Sequence, residues 1–278
     1  MIYLDGEFLP EKEAKIPVTD RGFLLGDGLY TTVQVRNGEP LFLDIHLQRL
    51  MKHCEELHIA PPTISRRAIE QLIEKNEALE GIWRLKIIIS GGEETLMRLP
   101  KRPYSHLIFL LTPFTPAPYA PLRMGFFPMP VIHPHATFKS LAHLSRYYVM
   151  EHAYAQGWDD CVTTTEQGLI LEASFGNLLW IEGKRAWTPS PELPLHFGVT
   201  ITVLKTILER EGFEVHLIKA HRGELPKGSL FRVNTMSGIR PVEKLGEGCF
   251  ALESAVEGFL REKYEEEAGL YEGLKRPS

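Results

Sequence analysis

The sequence predicts an α+β protein of two domains, and three observations support this. The chain has 278 residues, 44% of them hydrophobic, which is enough for one large core or two medium ones. Segments with the two-residue period of strands are interspersed with segments that have the 3.6-residue period of helices. Between residues 112 and 121, four of ten residues are proline, which lacks an N–H group and restricts the residue before it. We therefore expect an N-terminal α+β domain at 1–112, a Pro-rich linker at 113–121 and a C-terminal α/β domain at 122–278.

The N-terminal half is predicted to mix strands and helices. Apolar and β-branched runs bounded by turn residues predict strands at 2–4, 30–35, 40–43, 85–89 and 106–111. Asn37-Gly38 is the predicted turn between the second and third of these strands. Asp44 is placed to cap a helix with apolar positions at 47, 50, 51, 54 and 57, and residues 65–79 form a second helix candidate.

The C-terminal half is predicted to begin with a helix over 140–155. Antiparallel strands then follow, separated by turn residues, at 160–165, 169–173 and 177–181. A helix over 200–211 is stopped by Gly212, and a strand at 230–233 precedes a final helix over 252–264.

Composition excludes several classes of partner. The net charge is −5 and the basic residues are spread along the chain, so nucleic acid is not an expected partner. No apolar stretch approaches the roughly 20 residues that a membrane helix needs, and residues 1–6 lack the features of a signal peptide. Three widely spaced cysteines (Cys54, Cys161 and Cys249) fit a reducing compartment better than a disulfide framework. We therefore expect a cytoplasmic protein.

Two residues are candidates for covalent and acid–base chemistry. Lys139 lies between a Pro/His-rich stretch and an amphipathic run, and a buried lysine can act as an amine that forms a Schiff base. Glu172 ends the apolar run Leu169–Leu171, where a carboxylate is costly unless a cation or a strong donor meets it. A protonated ring nitrogen would be such a partner; a salt bridge to Arg or Lys, or an outward-facing strand position, is an equal alternative.

Other segments could bind an anion or a metal. Phe197–Thr202 places glycine and hydroxylated residues before an amphipathic helix, which can hold a phosphate or can simply be a capped helix start. Arg49 shares a helix face with His46 and could bind a phosphate, or it could be exposed. His133 and His135 have no third ligand at metal-binding spacing, so we expect no metal site.

The order of these candidate residues and segments along the chain resembles that of the class IV aminotransferases, the pyridoxal-phosphate enzymes of fold type IV. The resemblance covers nearly the whole chain. It rests on the following segments: Asp20-Arg21-Gly22, Gly26-Asp27-Gly28-Leu29-Tyr30, His46-Leu47-Gln48-Arg49-Leu50, Phe138-Lys139-Ser140-Leu141, Leu171-Glu172-Ala173-Ser174 with Asn177, Gly198-Val199-Thr200 and Asn234-Thr235-Met236.

The resemblance implies a cofactor and roles for particular residues. The cofactor is pyridoxal 5'-phosphate in an interdomain cleft, and Lys139 is the Schiff-base lysine and the proton-transfer group. Glu172 pairs with the pyridine nitrogen. The phosphate is held by four residues, namely Arg49, Val199, Thr200 and Thr235. Tyr30 and Thr32 face the substrate, and the enzyme is a homodimer.

Within the family, the chain is similar to the aminodeoxychorismate lyases. Tyr30-Thr31-Thr32 and the segment from Asn234 to Val242 are typical of that branch, although Ala142 and His143 depart from it. Leu144 stands where branched-chain enzymes have tyrosine, and Arg98 lacks the histidine of the D-amino acid enzymes' carboxylate trap. We therefore expect a lyase that converts 4-amino-4-deoxychorismate to 4-aminobenzoate and pyruvate in folate biosynthesis.

The alternative within the family is an aminotransferase that acts on D-amino acids or branched-chain amino acids, with 2-oxoglutarate or pyruvate as acceptor. A hypothesis from another class is a binding module that kept the fold without turnover. The presence of both Lys139 and Glu172 argues against it.

Overall fold

The computed structural model describes residues 1–60, 62–93, 99, 101–102, 104–131 and 135–273. The chain forms two compact units. The first unit is Met1–Pro116 with Phe138–His143, and the second is Ala117–Thr137 with Leu144–Ser278. The division falls inside the proline-rich segment, but Phe138–His143 belongs to the first unit, which differs from the expectation that Lys139 is part of the second domain.

The first unit contains a six-stranded antiparallel sheet with the order β2-β1-β6-β5-β3-β4. Its strands are β1 (Ile2–Leu4), β2 (Glu7–Leu9), β3 (Gly28–Arg36), β4 (Glu39–Pro40), β5 (Ile82–Ser90) and β6 (Leu107–Pro113). Its helices are α1 (Arg21–Leu25), α2 (Leu43–Glu56) and α3 (Arg66–Lys75).

The core of this unit lies on one face of that sheet. Leu29, Val33 and Val35 of β3 are fully buried and alternate with residues of the opposite face. The apolar stripes of α2 and α3 pack there through residues such as Leu50 and Leu72. The opposite face of β3 therefore carries Tyr30 and Thr32.

The second unit contains a nine-stranded sheet with the order β12-β11-β10-β13-β14-β7-β8-β9, and β15 pairs with β14. Its strands are β7 (Leu122–Phe126), β8 (Asp160–Thr164), β9 (Ile170–Ala173), β10 (Asn177–Glu182), β11 (Arg185–Pro189), β12 (Glu214–Ile218), β13 (Ser229–Asn234), β14 (Gly238–Leu245) and β15 (Gly248–Cys249). Its helices are α4 (Leu144–Ala155), α5 (Val199–Arg210) and α6 (Ser254–Gly273).

Three parallel strand pairs make this sheet mixed rather than antiparallel: β7 with β14, and two pairs that are joined by helical crossovers. The chain passes from β7 through α4 to the parallel neighbour β8, and from β11 through α5 to the parallel neighbour β12. The expectation of antiparallel strands is confirmed for β8 with β9, but β10 pairs antiparallel with β11 and β13 rather than with β9. The strands β7, β11, β12, β14 and β15 were not predicted.

Two predicted helix starts are wrong. Phe42, with φ 53°, caps α2, and Asp44 lies in its first turn and pairs with Arg66 instead. The helix predicted from residue 140 begins at Leu144, because residues 139–141 are extended along β3. Tyr30 N donates to the Lys139 carbonyl at 2.9 Å and Leu141 N donates to the Gly28 carbonyl at 3.0 Å.

Gly28 permits this pairing. A Cβ atom at Gly28 would lie 2.7 Å from both the Ile89 carbonyl oxygen and the Leu141 side chain. The close packing of this backbone segment therefore fixes the position of Lys139 beside Tyr30.

In the described part of the chain, no helix is both long and apolar enough to span a membrane.

Candidate active site

Two groups of side chains carry the predicted chemistry, one in each unit. The first, called the lysine cluster, consists of Tyr30, Thr31, His46, Arg49, Lys86 and Lys139. The second, called the carboxylate cluster, consists of Arg146, Glu172, Asn177, His196 and Gly198.

The lysine cluster brings Lys139 to the predicted substrate residue Tyr30. The Lys139 Nζ atom lies 4.8 Å from the centre of the Tyr30 ring, and the ring is 6% exposed. His143 packs edge-on against the same ring with centroids 4.4 Å apart. Tyr30 therefore presents an aromatic face to the amine that the sequence singled out.

Arg49 lies beside Thr31, on the helix that covers the other face of the strand. Its guanidinium donates to the Thr31 hydroxyl at 3.3 Å, and that oxygen lies 2.7 Å from His46 Nδ1. Desolvation lowers the Arg49 pKa to about 10, an effect partly opposed by Tyr30.

His46 is held neutral in this arrangement. Burial lowers its pKa well below 6.5, with smaller contributions from Arg49 and Lys139. The Thr31 hydroxyl has one proton and two lone pairs, so it can accept from Arg49 and also form a hydrogen bond with His46 Nδ1. Nε2 has no hydrogen-bond partner among the described residues. The desolvated guanidinium of Arg49 suits an anionic group such as a phosphate.

The carboxylate cluster is built around Glu172, which is 7% exposed at the end of β9. Arg146 pairs with Glu172 Oε1 at 2.8 Å, and the backbone N–H of His196 donates to the same oxygen at 3.0 Å. Arg146 also donates to the Ser174 carbonyl at 2.9 Å. The predicted alternative of a salt bridge is therefore present, yet Oε2 accepts no hydrogen bond from any described residue. That free oxygen fits a protonated ring nitrogen.

The start of α5 lies close to this carboxylate. Asn177 accepts from the Gly198 N–H at 3.0 Å and donates to the His196 carbonyl at 2.9 Å. A Cβ at Gly198 would come within 2.8 Å of the Asn177 amide oxygen, so only glycine fits without a shift. Val199 and Thr200 then form the first turn of α5, where N–H groups are unpaired within the helix and suit an anion.

Thr235 lies in the turn between β13 and β14. Asn234 Oδ1 accepts from the N–H groups of Met236 and Ser237 at 3.0 and 2.7 Å, which fixes this turn. Arg232 donates to the Ser237 hydroxyl at 2.8 Å and pairs with the fully buried Asp160 at 3.1 Å. Thr235 lies half-buried on this hydrogen-bonded turn.

Sequence reasoning missed several residues of these clusters. Lys86, Arg146 and His196 carried no local signal, because each is placed by pairing with a segment distant in the chain. Arg98 and His133 lie outside the described residues. Among the residues that are described, no group of three or more His, Cys, Asp or Glu side chains could hold a metal ion.

Comparison with known proteins defines the class. Residues 28–245 match the amino-transferase class IV family, so the chain belongs to that family. Its members are pyridoxal-phosphate-dependent aminotransferases or lyases, which confirms the predicted enzyme class and cofactor. The roles assigned to individual residues stay predictions.

Relatives within the family have more than one activity. An aminodeoxychorismate lyase of Bacillus subtilis is 26% identical over 91% of this chain and 89% of its own length. A putative branched-chain-amino-acid aminotransferase of Methanocaldococcus jannaschii is 26% identical over 77% of this chain and 76% of its own. A D-alanine aminotransferase of Staphylococcus epidermidis is 24% identical over 76% of each chain.

A solved structure supports the fold. A putative 4-amino-4-deoxychorismate lyase from Legionella pneumophila superposes with a TM-score of 0.85 at 24% identity, covering 92% of this chain and 97% of that one. This similarity confirms the predicted α+β fold of the fold type IV enzymes.

Proposed function

We propose that the protein is an aminodeoxychorismate lyase, which converts 4-amino-4-deoxychorismate to 4-aminobenzoate and pyruvate for folate biosynthesis. The observation that carries the proposal is the position of Lys139 over the Tyr30 ring, on the face of β3 that also carries Thr32. The aromatic ring of the product, 4-aminobenzoate, suits this aromatic face. The match to the Bacillus lyase over nine-tenths of the chain supports the choice within the family.

Pyridoxal phosphate, when bound, supplies an electron-withdrawing ring that stabilises negative charge on the substrate carbon next to the amine. Lys139 would hold it covalently, and the free Oε2 of Glu172 would keep its ring nitrogen protonated. Arg49, the first-turn N–H groups of Val199 and Thr200, and Thr235 would hold its phosphate.

Lys139 then acts as the proton-transfer group. Its free amine removes the proton from the ring carbon that bears the substrate's amine. The C–O bond to the enolpyruvyl group breaks, the six-membered ring becomes aromatic, and the leaving enol takes up a proton to become pyruvate. The reaction needs no second substrate.

A second candidate is an aminotransferase for branched-chain or D-amino acids. The Methanocaldococcus and Staphylococcus relatives favour it at nearly the same identity. In that case Lys139 would move a proton from the α-carbon to the cofactor, and 2-oxoglutarate or pyruvate would accept the amino group.

The proposed assembly is a cytoplasmic homodimer. The short helix α1 exposes Phe23, Leu24 and Leu25 to 71, 59 and 56%, an apolar patch typical of an interface. Cys54, Cys161 and Cys249 are free thiols, which suits a reducing compartment. A monomer in light scattering would contradict the dimer.

A substrate panel on the holoenzyme tests the function. We expect pyruvate to be released from 4-amino-4-deoxychorismate without any keto acid, and Lys139→Ala to abolish it. Amino transfer from D-alanine or a branched-chain amino acid to 2-oxoglutarate, without pyruvate release from aminodeoxychorismate, would overturn the lyase in favour of the aminotransferase. A purified protein that takes up no pyridoxal phosphate would overturn both.

A further inference from the structure

A second lysine contacts the same aromatic ring as Lys139. The Lys86 Nζ atom lies 5.0 Å from the centre of the Tyr30 ring, against 4.8 Å for Lys139. Lys86 belongs to β5, more than fifty residues before Lys139 in the chain. The ammonium groups of two lysines therefore lie near the ring of one buried tyrosine.

Strand register places the two lysines on opposite sides of Tyr30. Lys86 is paired directly with Thr32, which shares a face of β3 with Tyr30, so Lys86 points to that face too. Because β5 occupies one edge of β3 along its whole length, the segment at Lys139 pairs with the other edge. Neighbouring strands are about 4.8 Å apart, so the two lysine backbones are separated by roughly twice that distance.

Among the residues that the structure describes, none balances the charge of Lys86. No described carboxylate forms an ion pair with it, and its nearest charged neighbour on the same face of β5 is Arg84, another cation. Burial, followed by repulsion from Arg84, lowers the Lys86 pKa from its ordinary value. A half-buried cation beside a second cation is a place where an anionic ligand relieves both desolvation and repulsion.

We propose that Lys86 binds a carboxylate of the substrate that is remote from the reacting amine, and so selects amines whose acidic group lies across the ring. In an α-amino acid, the carboxylate is attached to the carbon that bears the amine, too close to Lys139 to reach the far side of Tyr30. In a ring substrate with amine and carboxylate at opposite ends, one group meets Lys139 and the other meets Lys86. The inference rests on the proposed function, because it requires Lys139 to be the reacting amine.

Binding of 4-aminobenzoate to the holoenzyme tests this directly, because that molecule has its amine and carboxylate at opposite ends. Calorimetry with Lys86→Gln should show affinity weakened on the order of ten- to a hundredfold, the effect of losing one charge-assisted contact. Lys86→Arg should stay within a few-fold of the unmodified protein. Aniline, which lacks the carboxylate, should bind equally to all variants.

Arg84→Gln is the matched control, because Arg84 is a cation two residues away on the same face of β5 and stacks on Phe114 instead. Its affinity for 4-aminobenzoate should change far less than that of Lys86→Gln, because Arg84 acts on Lys86 only through longer-range repulsion. In the lyase assay, Lys86→Gln should raise KM by the same factor and leave kcat within about threefold.

The inference is overturned if 4-aminobenzoate binds Lys86→Gln as tightly as the unmodified protein, or if it does not bind the unmodified holoenzyme. Its failure is separable from that of the proposed function. If pyruvate is not released but Lys86→Gln still weakens 4-aminobenzoate binding, the lyase assignment fails and the carboxylate site stands. If pyruvate is released and Lys86→Gln binds 4-aminobenzoate as tightly as the unmodified protein, the lyase assignment stands and the carboxylate site fails.

Discussion

The lysine cluster and the carboxylate cluster are organised in opposite ways. The lysine cluster holds three cationic side chains and no carboxylate of its own, and burial lowers the pKa of Arg49, His46 and Lys86. In the carboxylate cluster, the one anion is Glu172, which pairs with the Arg146 guanidinium and accepts a hydrogen bond from the His196 backbone N–H of the same unit.

The difference shows which part of the chemistry each unit prepares in advance. The carboxylate cluster is satisfied on Oε1 without any ligand, so its geometry is preorganised. The lysine cluster concentrates positive charge on Arg49, Lys86 and Lys139, which suits an anionic cofactor or substrate. We therefore expect variants of the two clusters to fail in different ways.

Replacement of Lys139 should have the largest effect. Lys139→Ala removes both the covalent anchor and the proton-transfer group, so turnover should fall by at least about a thousandfold. Borohydride reduction and peptide mass spectrometry should then find no cofactor adduct, whereas unmodified protein carries it on the peptide containing Lys139.

Lys86→Gln is the control for that experiment, because it removes the other lysine on the same ring. It should retain the adduct on Lys139. An adduct found on Lys86 in the unmodified protein would reverse the assignment of the two lysines.

Glu172→Gln should have an intermediate effect. The amide keeps an acceptor for Arg146 but loses the negative charge that holds the ring nitrogen protonated, so kcat should fall on the order of a hundredfold. The Lys139 adduct should persist, because covalent attachment does not require the carboxylate. Arg146→Met, which keeps the carboxylate and removes one donor, should reduce kcat less.

The matched control is Glu182→Gln, at the exposed end of the next strand, where the carboxylate pairs with Arg185 and with no other cation among the described residues. It should leave kcat unchanged. Equal activity of Glu172→Gln and unmodified protein would mean that the pair with Arg146 is purely structural.

The smallest expected effect concerns the pH dependence of stability in the first unit. Burial, aided by Arg49 and Lys52, lowers the pKa of His53 from 6.5 to about 4. Between these values the folded protein binds fewer protons than the unfolded chain, so the free energy of unfolding falls as the pH decreases through this window. The slope is at most about 1.4 kcal/mol per pH unit for each such histidine.

Urea unfolding at pH 7.5 and 5.5 measures that slope. His53→Gln should reduce the loss of stability by about 1 kcal/mol, whereas His46 keeps its contribution. His58→Asn is the control, because His58 is exposed and its positive φ of 57° suits asparagine. An unchanged slope in His53→Gln would contradict the assignment.

Local patterns predicted most of the regular elements. The strands β1, β3, β5 and β8 and the helix α5 lie within a few residues of their predicted bounds, because apolar periodicity reports which face of an element is buried. The prediction failed at residues 140–143, which have a helical pattern but extend along β3, because a backbone pairing overrides local preference.

The sequence by itself determined the family, the cofactor and the candidates Lys139 and Glu172, because these depend on residue types in a fixed order along the chain. Only the tertiary structure decided that Lys86 shares the ring of Tyr30 and that Arg146 and the His196 backbone meet Glu172. Those contacts join segments separated by many residues, and their geometry is set by strand register and crossover connections that no local pattern contains.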